Sequence, residues 1–103
     1  MLFAFRPWGW WAVLYKGKRF KVKLLHFKKG SSISLQRHKY RAELWCFIYG
    51  RGKLRGICRE LRRGDSVHIN KMAWHKYTAT KPSLILEIQY GEVCHESDIE
   101  RKG

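Results

Sequence analysis

The chain is poor in acid. Eight Asp and Glu stand against 22 Lys and Arg in 103 residues, a formal net charge of +14. That imbalance opposes compaction and draws anions, from sugar phosphates to nucleic acid to acidic lipid, without choosing among them. Cysteine is scarce as well. Cys46, Cys58 and Cys94 are widely spaced and contain no CxxC pair. That argues against a zinc ribbon or a disulfide framework and reads as reduced thiols in a cytoplasmic protein. No apolar run is long enough to span a bilayer. The opening "MLFAFRPWGWWAVLY" is broken by Arg6 and Pro7, lacks a charged start and precedes no small-residue cleavage site. It reads as an N-terminal strand and not as a leader or membrane span. Also missing is any long stretch with a helical period.

What the chain does hold is enough apolar and aromatic material to fold, 45% and 15% of its residues. Its length fits one domain, residues 1–103. Period-two segments recur between glycines. "RFKVKLLHF" sets Phe20, Val22 and Leu24 against Lys21, Lys23 and Leu25, and "SISLQRHK" sets Ile33 and Leu35 against Ser34, Gln36 and His38. "ELWCFIYG" and "SLILEIQYG" are nearly continuous apolar runs. Short strands at regular spacing predict an all-β sandwich or small barrel. The tail "CHESDIERKG" reads as a helical turn or a crossing of the barrel's end.

Alternation places Gln36 and His38 on one strand face. After a turn over residues 39–42, Glu43 is expected to open an adjacent antiparallel strand and meet them, with His75 as a fourth group. Imidazole, carboxylate and amide oxygen suit a divalent cation, zinc foremost, with manganese, iron, cobalt or nickel also fitting. A lone His or Glu on a strand is ordinarily just a solvated or hydrogen-bonded side chain. Likewise, Trp8, Trp10 and Trp11 are more readily core or dimer contacts than a sugar platform.

The spacing has a counterpart. "GSSISLQRHKYRAELWCFIYG" resembles the first cupin motif, with Gln36 in place of its first histidine, and "GDSVHINKMAWH" resembles the second. "RPWGWW", "FKVKLL", "SLQRHKYRAELW", "LEIQYG" and "ESDIER" are together similar to the C-terminal cupin domain of type II phosphomannose isomerases. In that family the domain is commonly fused to a mannose-1-phosphate guanylyltransferase. The resemblance implies a single small cupin β-barrel (a double-stranded β-helix, or jelly roll) and aldose–ketose isomerisation of mannose 6-phosphate. Gln36, His38, Glu43 and His75 would be the metal ligands. The second block departs from the family in carrying Asn70 and Met72 where proline and often glycine stand. No nucleotide signature is present, so guanylyl transfer is not carried over.

Isomerisation needs a base and a group to stabilise the enediolate oxygen. Arg41 is a candidate for the oxyanion or the phosphate, and Glu87, in an apolar strand where burial would raise its pKa, is a candidate base. It is equally a candidate structural partner. Lys21 and Lys23 share a face and are candidates for the phosphate end. Against this stands "GRGKLRGICRELRRG", whose Arg51, Lys53 and Arg55 alternate on one face as a polyanion binder's would. Two readings of different class follow: a metal-dependent sugar-phosphate isomerase, or a non-catalytic cupin that binds a phosphorylated metabolite, nucleotide or nucleic acid. Exposed sheet edges favour a homodimer under either reading. No membrane partner is expected.

Overall fold

The computed structural model describes residues 2–56 and 59–102. Among these the chain forms strands, turns and loops without a helix. The strands are β1 (Phe3–Arg6), β2 (Gly9–Lys16), β3 (Phe20–Phe27), β4 (Leu35–Arg37), β5 (Arg41–Leu54), β6 (Glu60–Arg62), β7 (Ser66–Ile69), β8 (Tyr77–Gly91) and β9 (Glu100–Lys102). The order β1-β2-β3-β8-β5-β6 makes one sheet, with β7 also on β5, and β4 pairs with β9 in a second. Isolated bridges Ser32–Thr78 and Gln36–His75 tie the segment leading into β4 to the start of β8. Among the described residues no helix is long and apolar enough to cross a membrane.

The long strands β5 and β8 must bend to serve the whole fold, and they bend where β5 carries glycine. Their register shifts between Phe47 and Gly52. Gly50 lies there at φ 106°, and a Cβ on it would stand 2.5 Å from Pro82 O and Ser83 Cα. Only glycine meets both demands.

Alternation sorts the side chains, but not by the usual rule that lysine faces water. The inward face of β3 is Lys21, Lys23, Leu25 and Phe27, all buried. Register stacks these into rungs across three strands. Lys21 faces Gln89, which faces Glu43; Lys23 faces Glu87, which faces Trp45; Leu25 faces Ile85, which faces Phe47. One half of the interior is therefore charged and the other apolar. Leu25, Phe27, Ile33, Trp45, Phe47, Leu54, Leu61, Ile69, Tyr77, Ala79 and Ile85 form the apolar half. Trp8 closes it by stacking on Phe27 at 4.6 Å.

Three local expectations need correction. β5 opens at Arg41, not Glu43. The strand holding Gln36 pairs with β9 and not with β5, because the tail runs as a strand, with no helical turn, and takes that edge. His38 lies just past β4, in the corner that leads into β5. Cys46 and Cys94 are free thiols, while Cys58 lies outside the described residues.

The loop carrying His75 has an unusual backbone at one of its departures from the resembling family. Met72 adopts φ 66°, the left-handed conformation that glycine takes without strain, at a position where the resembling family often has glycine. Its N–H donates to His38 O at 2.8 Å, so the conformation links the two histidine corners. The exposed Met72 side chain gives up little on removal. Relief of the strain outweighs the added freedom of the unfolded chain. Met72→Gly is expected to raise stability by about 0.5–1 kcal/mol, read as a higher midpoint in urea denaturation with an unchanged slope.

Candidate functional site

At the charged end of the interior lies a cavity of about 480 Å³, lined among others by Trp11, Lys23, Gln36, His38, Arg41, Glu43, Trp45, Glu87, Glu96 and Arg101. Its centre is Glu43, a carboxylate only 1% exposed. Strand alternation supplies its partners from the same face, two residues to either side. Arg41 Nε donates to Glu43 Oε2 at 2.9 Å and Trp45 Nε1 donates to Oε1 at 3.0 Å. The Glu43 and Glu87 charges outweigh the cost of burying Arg41 and keep its guanidinium charged.

Two imidazoles face this carboxylate. His38 Nδ1 lies 2.7 Å from Asp98 O, and His75 Nδ1 lies 3.0 Å from Ala73 O. A carbonyl only accepts, so each Nδ1 carries a hydrogen and, in the neutral ring, each Nε2 presents a bare lone pair. Burial, and then the Arg41 charge, hold His38 down to about 4. At neutral pH it is therefore an uncharged base, and its contact with Glu43 is not an ion pair. His38 Nε2 and Glu43 Oε2 are 3.2 Å apart with no hydrogen between them. Two lone pairs at that distance repel unless a cation faces both. Arg41 partly fills the need, its guanidinium 3.4 Å from His38 Nε2. It does not serve His75, whose Nε2 is buried without a hydrogen-bond partner, 3.9 Å from Glu43 Oε1.

Ligand atoms of His38, Glu43 and His75 lie within 4.8 Å of one another. This donor set of two imidazoles and one carboxylate is the chemistry a borderline divalent cation selects, and the orphaned Nε2 is the position it would satisfy. Gln36 is bound to His75 through the backbone, with N···O distances of 3.0 and 2.8 Å, and its side chain lines the cavity.

Glu87 is the other unusual group. Burial, and then the charge of Glu43, push it up to about 7, against the pull of Lys23 and Arg41. Gln89 Nε2 donates to Glu87 Oε1 at 2.6 Å. Lys21 and Lys23 do share a face, and it points inward. Lys23 Nζ is 2.7 Å and Lys21 Nζ 3.8 Å from Glu96 Oε1. Arg51, Lys53 and Arg55 lie elsewhere, exposed at the far end of β5 and just beyond it. Arg51 faces Glu60 at 3.7 Å and Arg59 faces Asp65 at 3.2 Å, so part of that basic surface is internally neutralised.

Several site residues are missing from the sequence reading. Trp45 carried no signal beyond hydrophobicity. Glu96, Asp98 and His95 sit in the tail, yet they bind Lys23, His38 and Arg41. Asp98 also accepts the backbone N–H groups of Lys39 and Tyr40 at 2.8 and 2.9 Å, which fixes the corner that presents His38. Trp11 stands against Lys23, whose Nζ is 4.3 Å from the ring centre.

Comparison with known proteins agrees with this geometry. The model of the mannose-6-phosphate isomerase C-terminal family matches residues 2–103. The chain belongs to that family. It is 36% identical to the alginate biosynthesis protein AlgA of Pseudomonas putida over 104 residues, covering 95% of this chain and 21% of that protein. It is 30% identical to the mannose-1-phosphate guanylyltransferase ManC of Salmonella typhimurium, with the same coverage of 95% and 21%. The chain thus spans about a fifth of the length of these curated relatives. A solved RmlC-like cupin from Shewanella frigidimarina superimposes with a TM-score of 0.75 at 13% identity, over 85% of this chain and 78% of that one. The fold is a cupin double-stranded β-helix, and the expected domain family is confirmed.

Glu87 gives a pH signature. In the unfolded chain it loses its proton near its ordinary 4.5, and in the folded chain near 7. Between those values only the folded state holds the proton. The contribution to stability is complete below about 4.5 and is lost as the pH rises through 7. Metal-free wild type should therefore lose about 2–3 kcal/mol of stability relative to Glu87→Gln between pH 4.5 and 8. His38, depressed to about 4, gives a slope of opposite sign below its ordinary value in both chains. Urea melts of both chains measure it, and a flat difference would show that Glu87 ionises as an ordinary carboxylate.

Proposed function

We propose that this cupin holds a divalent metal, zinc foremost, on Gln36, His38, Glu43 and His75 and interconverts mannose 6-phosphate and fructose 6-phosphate. One observation carries the reading: a buried carboxylate meets two imidazoles, one with an orphaned Nε2, and it lines a cavity together with a carboxyl group poised near neutrality. The family, that of the mannose-6-phosphate isomerase C-terminal domain, and one relative, a mannose-1-phosphate guanylyltransferase, support the substrate class. A divalent ion bound there would act as a Lewis acid toward the substrate's carbonyl.

The chain's own residues supply the remaining chemistry. Glu87, with both protonation states populated near pH 7, is suited to take a proton from one carbon and return it to its neighbour. Lys23 and Arg41 favour its anionic form. Arg41, fixed by Glu43 and by His95 O at 2.9 Å, presents a permanent positive charge to an oxygen that becomes negative. The reduced thiols at Cys46 and Cys94 fit a cytoplasmic setting. The apolar outer rungs Val22–Ile88–Leu44 and Leu24–Leu86–Cys46 are the surface on which a homodimer would form.

Metal analysis of untagged protein and a coupled isomerase assay test this. Wild type should carry or take up about one equivalent of divalent ion per chain and turn over mannose 6-phosphate. His38→Ala should lose metal and at least about 100-fold in kcat/KM. Protein that binds no ion and shows no turnover after addition of zinc, manganese, cobalt or nickel would end the reading.

A second reading rests on the exposed hairpin. Lys53 and Arg55 have no carboxylate partner among the described residues and project beside Arg51. If that surface binds nucleic acid, Arg51→Ala and Arg55→Ala should each weaken binding to single-stranded DNA and flatten its salt dependence by about one unit of slope. His38→Ala should leave it unchanged. Filter binding at two salt concentrations decides, and weak binding at the lower one removes this reading.

A further inference from the structure

The charged half of the interior contains one arrangement that metal chemistry does not use. Lys21 and Lys23 are 3% and 6% exposed, and neither faces water as a surface lysine does. Burying an ammonium is costly unless it is closely paired. One carboxylate oxygen serves both. Glu96 Oε1 is 2.7 Å from Lys23 Nζ but 3.8 Å from Lys21 Nζ, too far for a hydrogen bond. Lys21 donates no side-chain hydrogen bond among the described residues. The partner itself is loosely placed: the Glu96 side chain is 49% exposed and lies on the unpaired segment between β8 and β9. Two deeply buried cations thus share one half-exposed anion. Lys23 and Glu96 line the cavity, and Lys21 stands beside Lys23 on the same buried face of β3.

We propose that Lys21 and Lys23 form the anion subsite of this cavity and that the Glu96 carboxylate is its resident occupant, displaced when the charged group of a ligand enters. The inference deepens the isomerase reading, since it names where the phosphate end of the sugar sits. A phosphate offers three acceptor oxygens and close to two negative charges at neutral pH. It can satisfy both ammonium groups where a single carboxylate oxygen cannot. Glu96 can turn outward at little cost because it is already half in water. The exchange reaches the centre of the site. The segment carrying Glu96 also supplies His95 O to Arg41 and Asp98 O to His38, so anion entry and the positions of those two groups are linked. Because the subsite is already filled, an incoming anion binds more weakly than the two lysines alone would allow.

Inorganic phosphate is the probe, titrated calorimetrically into metal-free full-length chain at pH 7 and constant ionic strength. Glu96→Gln, which keeps the size but not the charge, should bind phosphate about tenfold more tightly than wild type. Glu100→Gln removes the same charge from the exposed pair with Arg37 and should change affinity less than about twofold. Unchanged or weaker binding in Glu96→Gln, or equal tightening in both variants, overturns the proposal. A second readout needs no variant. Phosphate should speed amide hydrogen exchange over residues 92–99 of wild type, and protection or no change there would also overturn it. Both measurements are made without metal or turnover. An inactive protein that passes them loses the isomerase reading and keeps this subsite, and an active one that fails them does the reverse.

Discussion

The structure depends on one buried carboxylate. Glu43 can stay ionised inside the barrel only if its solvation by water is replaced, and the replacement is written into its own strand. Arg41 and Trp45, two residues before and after, point the same way and donate to its two oxygens. A strand reading R-x-E-x-W builds its own cage by alternation alone. The rest of the cavity is arranged against this fixed negative charge. Two imidazoles turn their lone pairs toward it, because backbone carbonyls hold their other nitrogens. Nearby Glu87 is pushed toward neutrality, first by its burial and then because a second negative charge beside the first is expensive.

The apolar half of the interior matters to this chemistry although it contributes no polar atom. Phe47, Ile85 and Leu25 fill the rung directly beneath Lys23, Glu87 and Trp45 and keep water out of that side. Burial heads the causes of the shifts at both His38 and Glu87. The same exclusion strengthens each surviving charge–charge contact. Packing and reactivity are therefore one property here, and opening the apolar floor would relax the unusual protonation states above it.

Much of this was legible in the sequence, and the limits are physical. The motif spacing pointed to His38, Glu43 and His75, whose side chains do lie together. Alternation also placed Lys21 and Lys23 together. It could not say that their face was the inner one, since inward lysines break the ordinary assignment of charge to water. The contribution of the tail was invisible: Asp98 meets His38 from 60 residues along the chain, and no period encodes such a contact. For the same reason the partner of the Gln36 strand was misassigned. Asn70 and Met72 were visible as departures from a pattern, but only the backbone shows that Met72 now occupies a left-handed position that suits glycine.

The rungs of charge have a consequence for folding as well as for chemistry. An alternating strand that slips by two residues keeps every side chain on its proper face, so alternation alone leaves such slips nearly undetected. Here a two-residue slip of β8 against β5 would bring Glu87 level with Phe47 or with Glu43 instead of Trp45. It would set a carboxyl against an apolar floor or against another carboxylate. Either error leaves a charge buried without a partner, at a cost of several kcal/mol. The groups that give the cavity its reactivity thus also work as a coding device, making the one correct alignment of the two longest strands distinguishable from its nearest imitations.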